Sequence, residues 1–299
     1  MSAPGRLPNA PIPPAGPRPD VLAGMAFMAA SALTGTIMSV FIRELRFTMD
    51  PFMMSFFRAV FGCLVLAPWV IRRGFVPLRT KRLGLFVVYG AVLSGITILF
   101  FTALGYASIA TVTALSFSMP LFATVGVVLV FHEPLRAGRV MALVVGLGGT
   151  LVILRPGVIP LDFGSIMALT GSVIGAIGIL TVKSLVRTET AFTVTVYTSL
   201  MAAPFSLIFA IPFWKTPTPT EFLLLFGLGI CGSITHFCQA HAYRLADVTV
   251  VTPLDFTRLI WAAILGYVAF GESPDVWTWV GGTVIFAAAF ALIYRERHG

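Results

Sequence analysis

Runs of about twenty apolar residues recur along this chain, and no other feature constrains its fold as tightly. An α-helix rises 1.5 Å per residue, so ~20 apolar residues cross the ~30 Å hydrocarbon core of a bilayer. Ten such runs can be drawn: 21–42, 51–71, 83–104, 109–131, 137–154, 163–184, 190–213, 221–243, 247–270 and 276–294. The gaps between them leave no room for a soluble domain. Only 11% of the 299 residues are charged, against about 25% in ordinary soluble domains. Hydrocarbon offers no hydrogen-bond partners, so the backbone must satisfy itself within each span. The expected fold is an all-α membrane protein with ten transmembrane helices.

The first twenty residues hold seven prolines and no apolar core, which predicts a disordered cytoplasmic tail over 1–20. They lack the basic start and apolar stretch of a secretory signal. Cys63, Cys231 and Cys238 all lie in apolar segments, where they read as small hydrophobes. No metal-ligand spacing is visible, and nothing calls for a cofactor.

The net charge of +8 would suit a nucleic-acid partner if it were clustered, but ten spans distribute it by side. One side collects Arg6, Arg18, Arg72, Arg73, Arg79, Lys81, Arg82, Arg136, Arg139, Lys183, Arg187, Arg244, Arg295 and Arg297. The other collects Arg43, Arg46, Arg155 and Lys215, while Arg58 and Arg258 stay within spans. This bias places both termini in the cytoplasm by the positive-inside rule. It is a topological signal, not a nucleic-acid footprint.

The sequence also repeats at an offset of about 140 residues. Gly24, Gly35, Arg43, Leu45 and Phe52 fall on Gly164, Gly175, Lys183, Leu185 and Phe192, and "FHEPL" at Glu133 matches "FGESP" at Glu272. Two halves are expected, 21–155 and 161–295. Five spans per half is an odd number, so the second copy enters the membrane inverted, the plan of many secondary transporters.

The stretches "ALGYASIATVTALSFSMPLFATVGVVLVFHEPL" (103–135) and "HAYRLADVTVVTPLDFTRLIWAAILGYVAFGES" (241–273) resemble the paired EamA signatures of the drug/metabolite transporter superfamily. The resemblance covers essentially all of 21–295. It implies ten helices, a bacterial inner-membrane location and transport of small metabolites, often amino-acid export. The family often has a proline thirteen residues before the signature glutamate. Pro120 fits, but the second copy has Leu259 there and its proline earlier, at Pro253. The halves should therefore bend at different depths.

A transport path needs a polar surface inside the bundle, recurring every three or four residues along a helix. Gly232, His236, Gln239 and Tyr243 form such a line in the eighth span, and Thr113, Ser116, Pro120 and Thr124 form another in the fourth. Gly24, Met28, Ser31, Gly35 and Met38 line up in the first span, and Gly164, Ala168, Gly171, Gly175 and Gly178 in the sixth. The small-residue stripes equally suit close helix packing. Tyr89, Ser94 and Thr97 are further candidates in the third span.

Charged groups at a helix centre cost about 2.5–3.5 kcal/mol on insertion scales, so they face the interior and seek partners. Asp255 and Arg258, three apart, can pair on one helix face. Arg58 has no acidic neighbour in sequence, and its repeat counterpart is Thr198. Asp255 and His236 are expected at similar depth on antiparallel neighbours. The functional reading makes Asp255, Arg258 and Arg58 a charged cluster beside the substrate, with a proton carried on Asp255 or His236 if transport is coupled. The structural alternative is an ion pair locking one helix, with Arg58 snorkelling outward. Glu133 and Glu272 read as structural groups that pair with nearby Arg136 or bond the amides of the next helix's start.

These features point to a secondary transporter of amino acids or similar metabolites, embedded in lipid and without nucleic acid. A multidrug, nucleotide or organic-anion carrier is the alternative, and an intramembrane enzyme is disfavoured. No H-E-x-x-H, no G-x-S-x-G and no second intramembrane acid is present. "GLGICG" at Gly227–Gly232 lies inside an apolar span rather than after a strand, so it lacks the context of a dinucleotide site. "GSVIG" at Gly171–Gly175 suits internal packing.

Overall fold

The computed structural model describes residues 20–72, 80–119, 121–123, 137–155, 162–246, 254–255 and 257–298. Among them the α-helices are α1 (Val21–Leu45), α2 (Pro51–Arg72), α3 (Leu83–Tyr106), α4 (Ile109–Ser116), α5 (Ala137–Leu154), α6 (Phe163–Leu185), α7 (Ala191–Ala210), α8 (Pro219–Leu245), α9 (Thr257–Phe270) and α10 (Val276–His298). A single 3-10 turn, Ile211–Phe213, follows α7, and the described residues contain no strand. Six helices (α1, α2, α3, α6, α8, and α7 with its turn) are long and apolar enough to cross a membrane. The others carry shorter apolar stretches, such as Val276–Ala288 in α10.

The helices start where local chemistry supplies partners for orphan amides. Asp20, Ser108, Asp162, Thr190 and Thr218 each accept a backbone N–H in the first turn of the helix that follows. At α8 the cap is reciprocal: Thr218 accepts from Glu221, whose carboxylate accepts from the Thr218 amide, with Pro219 fixing the first turn.

The fourth span departs from the sequence reading. A single helix over 109–131 was the expectation; the helix from Ile109 is interrupted by a turn after Ser116 and helix resumes at 119 and 121–123, while 120 and 124–131 lie outside the described residues. Ser116 and Ser118 turn their hydroxyls onto the carbonyls of Thr113 and Leu115, and the amides of Phe117 and Ser118 drop to three-residue spacing. Such local bonds compete with the α ladder and tighten it. Of the ninth span, 254–255 and Thr257–Phe270 are helical, and 247–253 and 256 lie outside the described residues.

Helix ends fix the directions of travel. Gly24 at the start of α1 packs on Ala242 and Ala246 at the end of α8, and Gly164 at the start of α6 packs on Ala103 and Ala107 at the end of α3. Phe52 at the start of α2 stacks on Phe209 and Phe213 at the end of α7. Glu272 beyond α9 bonds the amide that begins α4, and Arg155 beyond α5 pairs with Asp275 before α10. Hence α1, α3, α5, α7 and α9 all point to one face, and the even-numbered helices point away. Arg43, Arg46, Arg155 and Lys215 share that face, as the charge distribution anticipated.

The packing has an internal pattern. The pairs α1·α8 and α3·α6 match each other when helices one to five are exchanged for six to ten. So do α2·α8 with α3·α7, α1·α9 with α4·α6, and α2·α3 with α7·α8, while α2·α7, α4·α9 and α5·α10 map onto themselves. The seams are made by small residues: most of the sixth-span stripe lies on α3, with Gly171 against Leu99 and Phe100 and Gly178 against Ile96, while Gly175 meets Met119. "GSVIG" is therefore spent internally. The glycines of "GLGICG" likewise meet Phe41, Phe61 and Arg58 from within α8.

At Gly229 a Cβ would stand 2.4 Å from the Phe61 Cβ and 3.1 Å from its carbonyl carbon, so α2 and α8 touch backbone to backbone. Gly229→Val should destabilise the detergent-purified protein by about 1–3 kcal/mol, read as a lower melting temperature. Gly95, whose Cβ direction is empty to 4 Å, serves as the control: Gly95→Ala should leave the melting temperature unchanged or raise it. Equal loss in both variants would reject the seam.

Candidate functional site

A polar, charged constellation sits inside this apolar bundle, built from α2, α3, α8 and α9. Arg58 leaves α2 about two turns in and is 3% exposed. Its Nη1 donates to Nε2 of His236 on α8 at 3.3 Å, and its Nη2 donates to Thr97 Oγ1 on α3 at 3.4 Å. A guanidinium only donates, so His236 accepts on Nε2 and carries its proton on Nδ1. Gly232, one turn before His236, makes room: a Cβ there would lie 3.4 Å from the Arg58 side chain. The arginine points into the bundle rather than snorkelling. Its Nε has no partner.

Asp255 and Arg258 form the ion pair that their spacing allows, Nη2 to Oδ1 at 2.9 Å, and both side chains stay about a quarter exposed at 27% and 25%. Arg258 lies against α1, where Gly35 leaves a gap: a Cβ on Gly35 would be 3.4 Å from the guanidinium and 3.5 Å from Thr235 on α8. The expectation that the helices of Asp255 and His236 are direct neighbours is thus modified. α1 packs on both α8 and α9, and Gly35 lets the charge reach past it.

The two arginines belong to one electrostatic neighbourhood. Both act on His236, Arg58 also acts on Tyr89, and Tyr243 feels Asp255, Arg258 and Tyr89 together. Gln239 Nε2 donates to the Tyr243 hydroxyl at 3.5 Å. His236, Gln239 and Tyr243 are only half-buried although they lie well inside the bundle. The eighth-span stripe therefore meets Arg58, Tyr89, Asp255 and Arg258 in one place.

Other candidates land elsewhere. Ser31 Oγ donates to the Thr235 carbonyl at 3.1 Å and lies in the α1–α8 seam with Gly24 and Met28. Ser116 bonds the Thr113 carbonyl within α4, and the Thr113 side chain is buried. Ser94 bonds Ala202 across to α7 and receives Ser206, which also meets Ser55. Pro120, Pro253, Glu133 and Thr124 lie outside the described residues.

Glu272 pairs with Arg43 and accepts from the Ile109 amide at 3.2 Å. The helix start that it caps is α4, in the other half of the chain, not the helix that follows it. Arg43 also donates to the carbonyls of Leu104 and Ala107, so one arginine–glutamate pair ties the ends of α1, α3 and α9 to the start of α4. Sequence reasoning had placed Arg43 only as a surface charge. Thr34 and Thr235, bonded at 2.9 Å between α1 and α8, were also missed. The signal available for Arg43 was its alignment with Lys183.

Chemically, the constellation offers fixed donors, an imidazole and an ion pair with room around them. Among the described residues no group of three His, Cys, Asp or Glu could hold a metal ion. Such groups suit binding, and among the described residues no nucleophile is aligned with a base.

Comparison with known proteins agrees. The EamA-like transporter family matches residues 22–155 and again 162–294. An S-adenosylmethionine uptake transporter of Rickettsia prowazekii (strain Madrid E) is 30% identical over 276 residues, covering 92% of this chain and 94% of that one. A riboflavin transporter of Vibrio cholerae is 32% identical over 173 residues, 58% of each chain. A crystal structure at 20% identity superposes with a TM-score of 0.64, covering 94% of this chain and 99% of that one, and shares the fold. The protein is a multi-pass membrane transporter, not an enzyme, and the chain belongs to the EamA-like transporter family.

Proposed function

We propose that the protein is a secondary carrier for a small organic metabolite, working by alternating access in the bacterial inner membrane with both termini in the cytoplasm. Its two halves, 21–155 and 161–295, act as inverted five-helix repeats. Support comes from the exchangeable helix pairs, the opposed directions of α1 and α6, and the family matching twice. The basic bias of one side supports the orientation.

The observation that carries the reading is the half-buried constellation around His236, Tyr243, Asp255 and Arg258. Ionisable groups at that depth mark a path through the bilayer by default. Substrate in an inverted-repeat carrier sits at the repeat interface, and these second-half side chains meet the first half through Arg58, which bonds His236 and Thr97. Amino acids, or metabolites with an amino-acid end, are the substrates favoured. One relative is named for S-adenosylmethionine uptake, and that molecule ends in an α-amino acid. Direction follows the gradient; the name of that relative favours uptake over the export expected from the family at large. The riboflavin relatives make a flat heterocycle the alternative cargo. Asp255 and His236 are the groups placed to carry a proton.

In this reading the Arg43–Glu272 pair is a latch closing one face, because it binds four helix ends that must part for access there.

Two measurements test the scheme. In proteoliposomes, wild-type protein should catalyse saturable counterflow of labelled solute recovered unchanged, with methionine, S-adenosylmethionine and riboflavin as the first panel. Asp255→Asn strands Arg258 without its partner and should cut that flux about a hundredfold at equal expression; wild-type flux in the variant would reject a site role. Separately, Thr34→Cys in a cysteine-free background should react with impermeant maleimide from the latched face. Adding Glu272→Ala should speed that reaction about tenfold, since a charged hydrogen bond of ~1.5–3 kcal/mol is lost from the closed state. An unchanged rate would mean that the pair does not gate.

A further inference from the structure

The charge balance of the constellation is incomplete. Arg58 is 3% exposed inside the bundle, yet no carboxylate lies within 4.0 Å of it among the described residues. Asp255, the acid of this site, is already engaged by Arg258. Two guanidinium groups against one carboxylate leave one positive charge in low dielectric. Of the five N–H donors of Arg58, two make long bonds to neutral acceptors at 3.3 and 3.4 Å, and Nε makes none. The Nε of Arg258 is also unpartnered. An unpaired buried charge costs several kcal/mol, and a neutral residue suffices at the equivalent place in the other half, where Thr198 bonds its own helix at 2.6 Å.

We infer that Arg58 is the receptor for a single carboxylate on the transported solute, which makes the substrate class an organic monocarboxylate or an amino acid. The inference rests on the carrier reading above and names the group that its site selects. The planar fork of Arg58 matches a carboxylate bidentately. Thr97 and His236 hold that fork from either side, and the missing side chain at Gly232 lets the arginine lie close against α8. A carboxylate seated on Arg58 supplies the local counter-charge that the protein lacks there, whether or not the solute carries an ammonium elsewhere, whereas a solute with no anionic group supplies none.

The test compares acid and amide forms of one solute. Wild-type protein in liposomes is preloaded with S-adenosylmethionine, methionine or riboflavin, and L-methionine and L-methioninamide compete for exchange. Arg58→Gln and Arg58→Lys are measured in parallel. The expected result is that methionine outcompetes the amide about thirtyfold or more in the wild type. That ratio should fall to near one in Arg58→Gln, with Arg58→Lys intermediate because it keeps the charge and loses the fork. A residue that only braced the helices would lower all fluxes and leave the ratio unchanged. Equal competition by acid and amide in the wild type, or a ratio preserved in Arg58→Gln, overturns the carboxylate assignment while saturable exchange leaves the carrier intact. Absence of saturable exchange for every solute in the wild type overturns both. Should Arg58→Gln fail to fold, the wild-type ratio alone decides.

Discussion

Hydrocarbon offers polar groups no partners, and every structural choice in this protein follows from that constraint. Serine and threonine hydroxyls turn back onto carbonyls one turn earlier, as Thr36, Ser172, Thr195 and Thr198 do. Others bridge helices, as Ser31, Ser94 and Thr34 do. With lipid as apolar as leucine, helices gain little from hiding greasy faces and associate through close packing instead. Gly90 and Gly229 bring backbones together where any side chain would collide. These seams set which helices touch, and so which polar groups can meet.

Against that background the central charges stand out. Most ionisable groups lie at helix ends, where Arg43, Glu272, Arg155 and Asp275 find partners. Arg58, His236, Asp255 and Arg258 sit deeper, and packing is arranged around them: Gly35 opens a gap for Arg258, and Gly232 for Arg58. Glycine thus has two uses here, close approach at the seams and space at the centre. The asymmetry between halves is concentrated at the same place, since Arg58 aligns with Thr198.

Much of this was legible in the chain itself. Length and hydropathy of the runs located the helices closely, because spanning length is a property of the bilayer and not of packing. Eight of the ten expected spans correspond well to described helices; 109–131 is interrupted by a turn at 117–118, and parts of it and of 247–270 lie outside the described residues. The serine hydroxyls that interrupt α4 act through local bonds, which apolar periodicity does not register. The Asp255–Arg258 pair could be read from spacing alone because helical geometry brings i and i+3 together. The small-residue stripes were ambiguous between seam and cavity, since both need an absence of bulk. Gly24 and Ser31 went to a seam.

What the sequence determined by itself is everything that depends on one helix at a time: the apolar runs, their alternating direction, the repeat, and the local ion pair. Only the tertiary structure decided how the faces meet. It turned Arg58 inward onto His236 and Thr97, residues 178 and 39 positions away. It also set Glu272 to cap α4 in the opposite half of the chain. Contacts between distant segments depend on crossing points fixed by side-chain volume along whole helices, and a single chain's periodicity carries no register between them.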